Sequence, residues 1–305
     1  MHEGSRRAII AALLANLGIA VSKVVAFAIT RSASMLAEAI HSFADTGNQA
    51  LLILGGRRAQ RAPDAEHPFG HGTERYFWAF IVALVLFTLG GLFAIFEGVE
   101  KLRHPHELDA PIVAVVVLLV AIVLESFSLR TAVREANPSR HGRPWHRFVR
   151  ETRNPELPVV LLEDIGALTG LVLALAGVVL AWATHEPRWD AFGSISIGVL
   201  LCIIAAVLAV EMKSLLIGES ADPDMEGAVR RAALAGPEVA SIIHLRTMHL
   251  GPEEILVAAK VELTPTDLEG VARGIDAIEA RVRAAVPEAT TIYLEPDLRR
   301  RDPAG

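Results

Sequence analysis

Hydrophobic residues fall in long blocks separated by short polar segments, and only the last third of the chain breaks into short runs of alternating character. Six blocks approach the roughly 20 residues that a helix needs to cross a hydrocarbon core. They run from Ala8 to Ile29, Ala33 to Leu54, Tyr76 to Phe96, Ala110 to Leu129, Leu157 to Trp182 and Ala191 to Val210. The third is free of charge and the second is the most polar. The pattern predicts an α-helical membrane protein with six transmembrane helices over residues 1–216. Beyond that point two periods alternate. Met225 to Leu234 reads as a helix, IIHLRTMHL and ILVAAKVEL as strands around Gly251-Pro252, Gly270 to Val286 as a helix, and TTIYLEP as a strand. The order αββαβ suits a small two-layer, ferredoxin-like α+β domain at 217–305, with dimerisation as its structural role.

Composition agrees with a bilayer: 52% of the 305 residues are hydrophobic and mean hydropathy is +0.41, too apolar for an ordinary soluble domain. The segment from Ala221 onward is different, with 15 Asp and Glu against 10 Lys and Arg. Lys and Arg near the span ends divide 13 to four between the two sides, which predicts cytoplasmic N- and C-termini. The expected location is a bacterial cytoplasmic membrane. The first block lacks a small-residue cleavage site and reads as a span that stays. One cysteine, Cys202, excludes an intramolecular disulfide. No HExxH motif supports an intramembrane metalloenzyme, and no nucleic-acid partner is expected.

Two polar intrusions then stand out, EAIHSFADTGNQ at 38–49 and LLEDIGAL at 161–168. An Asp at a helix centre costs about 2.5–3.5 kcal/mol in hydrocarbon, so such groups are functional suspects. His41 and Asp45 are four apart, on one helix face and about 6 Å apart along the axis, a spacing that suits a chelate. Counting back from Arg57 and forward from Arg153 puts Asp45 and Asp164 roughly 16–18 Å from their arginine anchors, so the second and fifth spans can meet at one level. Nitrogen with carboxylate oxygen favours a transition metal, Zn²⁺ by default, over Mg²⁺ or Ca²⁺. The alternative is a satisfied helix-packing network. For Asn16, Lys23, Glu38, Glu97 and Glu125, pairing between helices is the first reading and a water-filled path the second. The loop DAEHPFGHG sets Asp64, His67 and His71 within eight residues, with Gly70 and Gly72 to let it fold tightly. Its histidines either gather a metal or tie the loop to the next helix.

SASMLAEAIHSFADTGNQ, HPFGHGTERYFW, EGVEKLRHP and the LLED of the fifth span together resemble the cation diffusion facilitator family, in the branch of the zinc transporter nine type. The resemblance covers nearly the whole chain. It implies a homodimer that exports divalent metal, commonly Zn²⁺, with protons as counter-ion and no prosthetic group. It also implies a transport site with two ligands from the second span and two from the fifth, here His41, Asp45 and Asp164. The family's common histidine four residues before Asp164 is Val160, so Glu163 is the candidate fourth ligand, with Asn48 or water as substitutes. An oxygen-rich set admits Mn²⁺, Fe²⁺ or Co²⁺. The family's accessory loop site matches at Asp64, His67 and His71. Its tail site matches only at His244 and Glu295, with Lys260 and Tyr293 at positions of histidine and His249 as a compensating candidate. The competing reading is a non-transporting regulatory or metal-sensing membrane subunit.

Overall fold

A computed structural model describes residues 3–140 and 142–298, with side chains from residue 17 onward. The side chains of Arg6, Arg7 and Asn16 lie outside the described set, as does His141. Helices occur in the order α1 (Glu3–Thr30), α2 (Ala33–Ala59), α3 (Glu74–Val85), a π-helical segment (Leu86–Leu92), α4 (Phe93–Arg103), α5 (Pro111–Arg140), α6 (Trp145–Glu151), α7 (Glu156–Thr184) and α8 (Arg188–Ile217). They are followed by α9 (Pro223–Leu234), β1 (Val239–Gly251), β2 (Glu254–Leu263), α10 (Leu268–Ala285) and β3 (Thr291–Pro296).

The chain divides into two compact units. One holds the residues up to Gly56 together with Phe77–Lys213; the other holds Arg57–Tyr76 together with the chain from Ser214 onward.

The first unit is a helical bundle. Among the described residues four helices are long and apolar enough to cross a membrane: Glu74–Arg103, which runs unbroken through α3, the π-segment and α4, then Pro111–Arg140, Glu156–Thr184 and Arg188–Ile217. Leu17–Thr30 qualifies only as a shorter apolar helix. Four of the six expected spans thus meet both length and apolarity among the described residues, while α1 is a 28-residue helix whose described side chains begin at Leu17. α2 is a 27-residue helix at the expected place, but Glu38, His41, Asp45 and Asn48 along it, with Arg57 and Arg58 at its end, make it more polar than those four. Large apolar side chains such as Val25, Val120, Phe127 and Ile203 lie exposed on outward faces, as a lipid-facing surface requires. Between helices the contacts rely on small residues. A Cβ on Gly98 would lie 2.8 Å from the Ala191 carbonyl oxygen, and one on Gly198 2.6 Å from that of Gly91, so α4, the π-segment and α8 cross with their backbones close together. The helices also outrun the apolar blocks that announce them, because their polar ends continue the same hydrogen-bond ladder. The short α6 was not expected. Phe148 is buried beside Ala132, Ala136 and Leu161, and Arg140 sits 4.7 Å from the Trp145 ring centre, which anchors this turn.

In the second unit the order αββαβ is present, as a mixed sheet β1-β2-β3. β1 and β2 are antiparallel, β2 and β3 parallel. Along β2 every second residue from Ile255 to Val261 is buried, facing Val229, Ile278 and Val282 of the two helices. Each helix begins at an Asp whose carboxylate accepts from a backbone N–H three residues on, Asp222 from Met225 at 2.8 Å and Asp267 from Gly270 at 2.8 Å. Arg281 of α10 donates to the carbonyls of Ala232 and Ala233 and pairs with Glu238, which closes the end of α9.

Candidate metal centre

The N-terminus of α2, the helix carrying His41 and Asp45, is fixed by a residue from α8. Asp190, fully buried, accepts from Ser32 Oγ at 2.7 Å, Ala33 N at 2.7 Å and Ser34 N at 3.3 Å, so it caps α2 from another helix. Its charge is balanced by Lys101 Nζ at 3.1 Å, which also donates to the Arg31 carbonyl. With α2 held at that end, its polar face turns inward.

Asp45, Glu163 and Asp164 line one small polar cavity with Glu125 and Ser128 of α5. Four carboxyl groups therefore surround it, and none of the described residues lining it is basic. Such an arrangement draws a cation. His41 Nε2 lies 3.5 Å from Asp45 Oδ2 on the next turn, and neither ring nitrogen has a hydrogen-bond partner. Glu163, almost fully buried, accepts a hydrogen bond from Asn48 Nδ2 at 2.6 Å, and Asp164 accepts one from Ser128 Oγ at 3.1 Å. The two intrusions thus face one cavity, at a level α2 and α7 share. Val160, the position where the resemblance implies histidine, lines the cavity too.

The four intramembrane candidates are not drawn into a tight shell. Among the described residues, only Asp64, His67 and His71 form a group of three or more potential ligands with donor atoms all within 4.8 Å of one another. The physical reason is visible in the hydrogen bonds: Asn48 and Ser128 each hold one carboxylate, so Glu163 and Asp164 face different neighbours. Ile19, Glu125, Ser128 and Val160 are the lining residues that lie outside the two intrusions. Glu125 and Ser128 are three apart, which puts them on one helix face, and that spacing was the available signal.

The loop cluster belongs to the second unit. Asp64 Oδ1 accepts from the backbone N–H of Glu66 and His67, at 2.9 and 2.7 Å, which closes a tight turn. The same carboxylate contacts His67 Nδ1 at 3.4 Å and His71 Nε2 at 3.2 Å, and the two rings stand 4.5 Å apart. The His67 N–H holds the Asp64 carboxyl below the usual carboxylate range, and the His71 ring and Glu66 N–H add to it. Gly72 lets the loop approach the β1–β2 hairpin, since a Cβ there would lie 2.5 Å from the Leu250 carbonyl oxygen.

The tail trio is not brought together. His244 is exposed on β1 opposite Lys260, and Lys260 stands opposite Glu295 in β3. Its ammonium is 2.9 Å from both Glu295 and Asp297, which push its pKa up, so a lysine already occupies the cation position on that row. His249 is buried, with Nδ1 3.3 Å from the Gly251 carbonyl oxygen.

A helical unit with an inward-facing carboxylate cavity and a small mixed tail sheet defines a membrane protein of the cation-handling class. The chain belongs to the cation efflux family, matching its transmembrane domain over residues 9–217. It is 34% identical over 242 residues to a proton-coupled zinc antiporter, SLC30A9, described as mitochondrial, from Xenopus laevis; the match covers 79% of this chain and 43% of the relative. The human counterpart is 33% identical with the same coverage. This chain therefore spans less than half the length of those relatives. A cation-efflux pump, FieF, from Cronobacter sakazakii is 30% identical over 256 residues, covering 83% of this chain and 79% of the relative. The relatives are transporters rather than enzymes. They support an integral membrane protein, but with two of them described as mitochondrial they give the expected bacterial location no support.

Proposed function

We propose that this chain exports a divalent metal cation, zinc in the first instance, from the cytoplasm in exchange for protons. The observation that carries the reading is the convergence of Asp45 of α2 with Glu163 and Asp164 of α7 on one cavity lined by no described basic residue, with His41 beside Asp45. The relatives' names describe zinc antiporters and a cation-efflux pump, which is the same chemistry. In this reading His41, Asp45 and Asp164 bind the ion, and Glu163 joins them by leaving Asn48. Metal binds deprotonated ligands, and the same atoms take protons once it departs, so competition for one site couples the two flows. Six spans with both termini cytoplasmic, a homodimer joined through the tail, and an accessory ion on Asp64, His67 and His71 complete the proposal.

The valine at 160 favours a second reading of the cargo. An oxygen-richer shell discriminates less against Mn²⁺, Fe²⁺ and Co²⁺. Both readings are tested by uptake into proteoliposomes of each ion under an imposed pH gradient. The expected result is zinc flux that Asp45→Ala or Asp164→Ala abolishes while the protein still elutes as the parent does. Undiminished flux in either variant refutes the site.

A further inference from the structure

Two turns from the cavity, on the side of the α2 N-terminus, lies a second buried polar cluster that the proposed metal ligands do not use. Lys23 of α1 places its Nζ 3.1 Å from Glu38 Oε2 and 2.7 Å from Ser42 Oγ, with Lys23 and Glu38 essentially inaccessible. Glu38 Oε1 is buried without a hydrogen-bond partner. That oxygen points at α7, where Gly170 leaves room: a Cβ there would lie 2.6 Å from it. Glu38 precedes Asp45 by seven residues and Gly170 follows Glu163 by seven, so on both helices the cluster sits about 10 Å, two turns, from the ligand level. Ser42 joins the two places, since it accepts from Lys23 and also lines the cavity.

A buried ion pair adds little stability over an apolar pair of the same shape, so charges kept inside a membrane bundle point to use. The arrangement here is that of a cation site with its own cation tethered in it: one carboxylate with a spare oxygen, one hydroxyl, and an ammonium on a flexible stem. We propose that Glu38 and Ser42 form a second divalent-cation station on the α2–α7 seam, that Lys23 is its resident occupant, and that the ion passing between the cavity and the α2 N-terminal end displaces that ammonium. The proposal rests on the transport reading for its direction of travel, and on the cluster alone for the existence of the station.

The test uses the full chain and zinc as probe. Zinc bound per protomer is counted by isothermal titration on purified parent, Lys23→Met and Lys23→Met/Glu38→Gln. Lys23→Met is expected to bind one zinc more than the parent, and the double variant to lose it again. Equal stoichiometry in Lys23→Met and parent overturns the station. If Lys23→Met elutes as aggregate, the decision falls on Glu38→Gln, expected to lower turnover in proteoliposomes at least tenfold with KM within threefold. Parent-like turnover there overturns the proposal, and so does recovery of turnover in the double variant, which a merely structural ion pair would produce. A parent that carries no zinc sinks the transport reading, while the stoichiometries still judge the station by themselves.

Discussion

Val160 and Asp64 show how far single residues decide the chemistry. Val160 lines the cavity with the four carboxylates, so Val160→His would add a nitrogen donor to the proposed site. The expected outcome is a rise of about tenfold in the ratio of zinc to manganese flux, read by competitive uptake, because imidazole suits zinc better than carboxylate does. At Asp64 the sign of the pH effect follows from a folded-state pKa below its ordinary value. Such a carboxylate contributes order above about pH 4, the unfolded value, and loses it as pH falls through the folded one. Asp64→Ala should therefore speed proteolysis of the 62–72 loop at neutral pH, and the difference from the parent should narrow only in acid below that value. At this scale the sequence was most legible for residues whose spacing is local. His41 with Asp45, and Asp64 with His67 and His71, are set by one helix turn or one tight loop. Asn48 on Glu163 and Ser128 on Asp164 join positions 115 and 36 residues apart, and no local spacing announces them.

Elements were legible where a long apolar block or a strict alternation dictated them, as in β2, and less so where a neighbour supplies the reason. α6 exists because Phe148 is buried beside α5 and α7, and α2 begins where it does because Asp190 arrives from α8. Asp190→Ala should be the more damaging half of its pair, since it removes the cap and strands a buried Lys101. A loss of about 3–5 kcal/mol is expected, against a smaller one for Lys101→Met/Asp190→Asn, compared by thermal unfolding in detergent. Gly98→Ala should cost about 1–3 kcal/mol in the same assay, because its methyl meets Ile195 Cγ1 and, behind it, the backbone of Ala191 and Ile195, which cannot move aside as a flexible tip can.

Over the whole molecule, the division into a membrane unit and a small α+β unit follows a change of period near residue 217. The placement of the Arg57–Tyr76 loop with the second unit does not follow from any local pattern; it depends on the close approach of Gly72 to the β1–β2 hairpin. Membrane orientation belongs to this scale as well. With Cys202 replaced by Ala, the proposed topology expects a cysteine at Ser139 to react with an impermeant thiol reagent from one side only, that of the proposed cytoplasmic termini, and one at His106 only from the opposite side. Labelling of both from one side would refute the assigned topology.

The π-helical segment at Leu86–Leu92 gives the chain a property its other long helices lack. A π turn carries one residue more than an α turn, so removing Thr88 can close the segment into plain α-helix while Gly98 keeps its face toward α8. Removing one residue from the middle of α5 instead turns everything beyond it by about 100° and carries Glu125 and Ser128 away from the cavity. A library of single-codon deletions should therefore survive within Leu86–Leu92 and fail across α5.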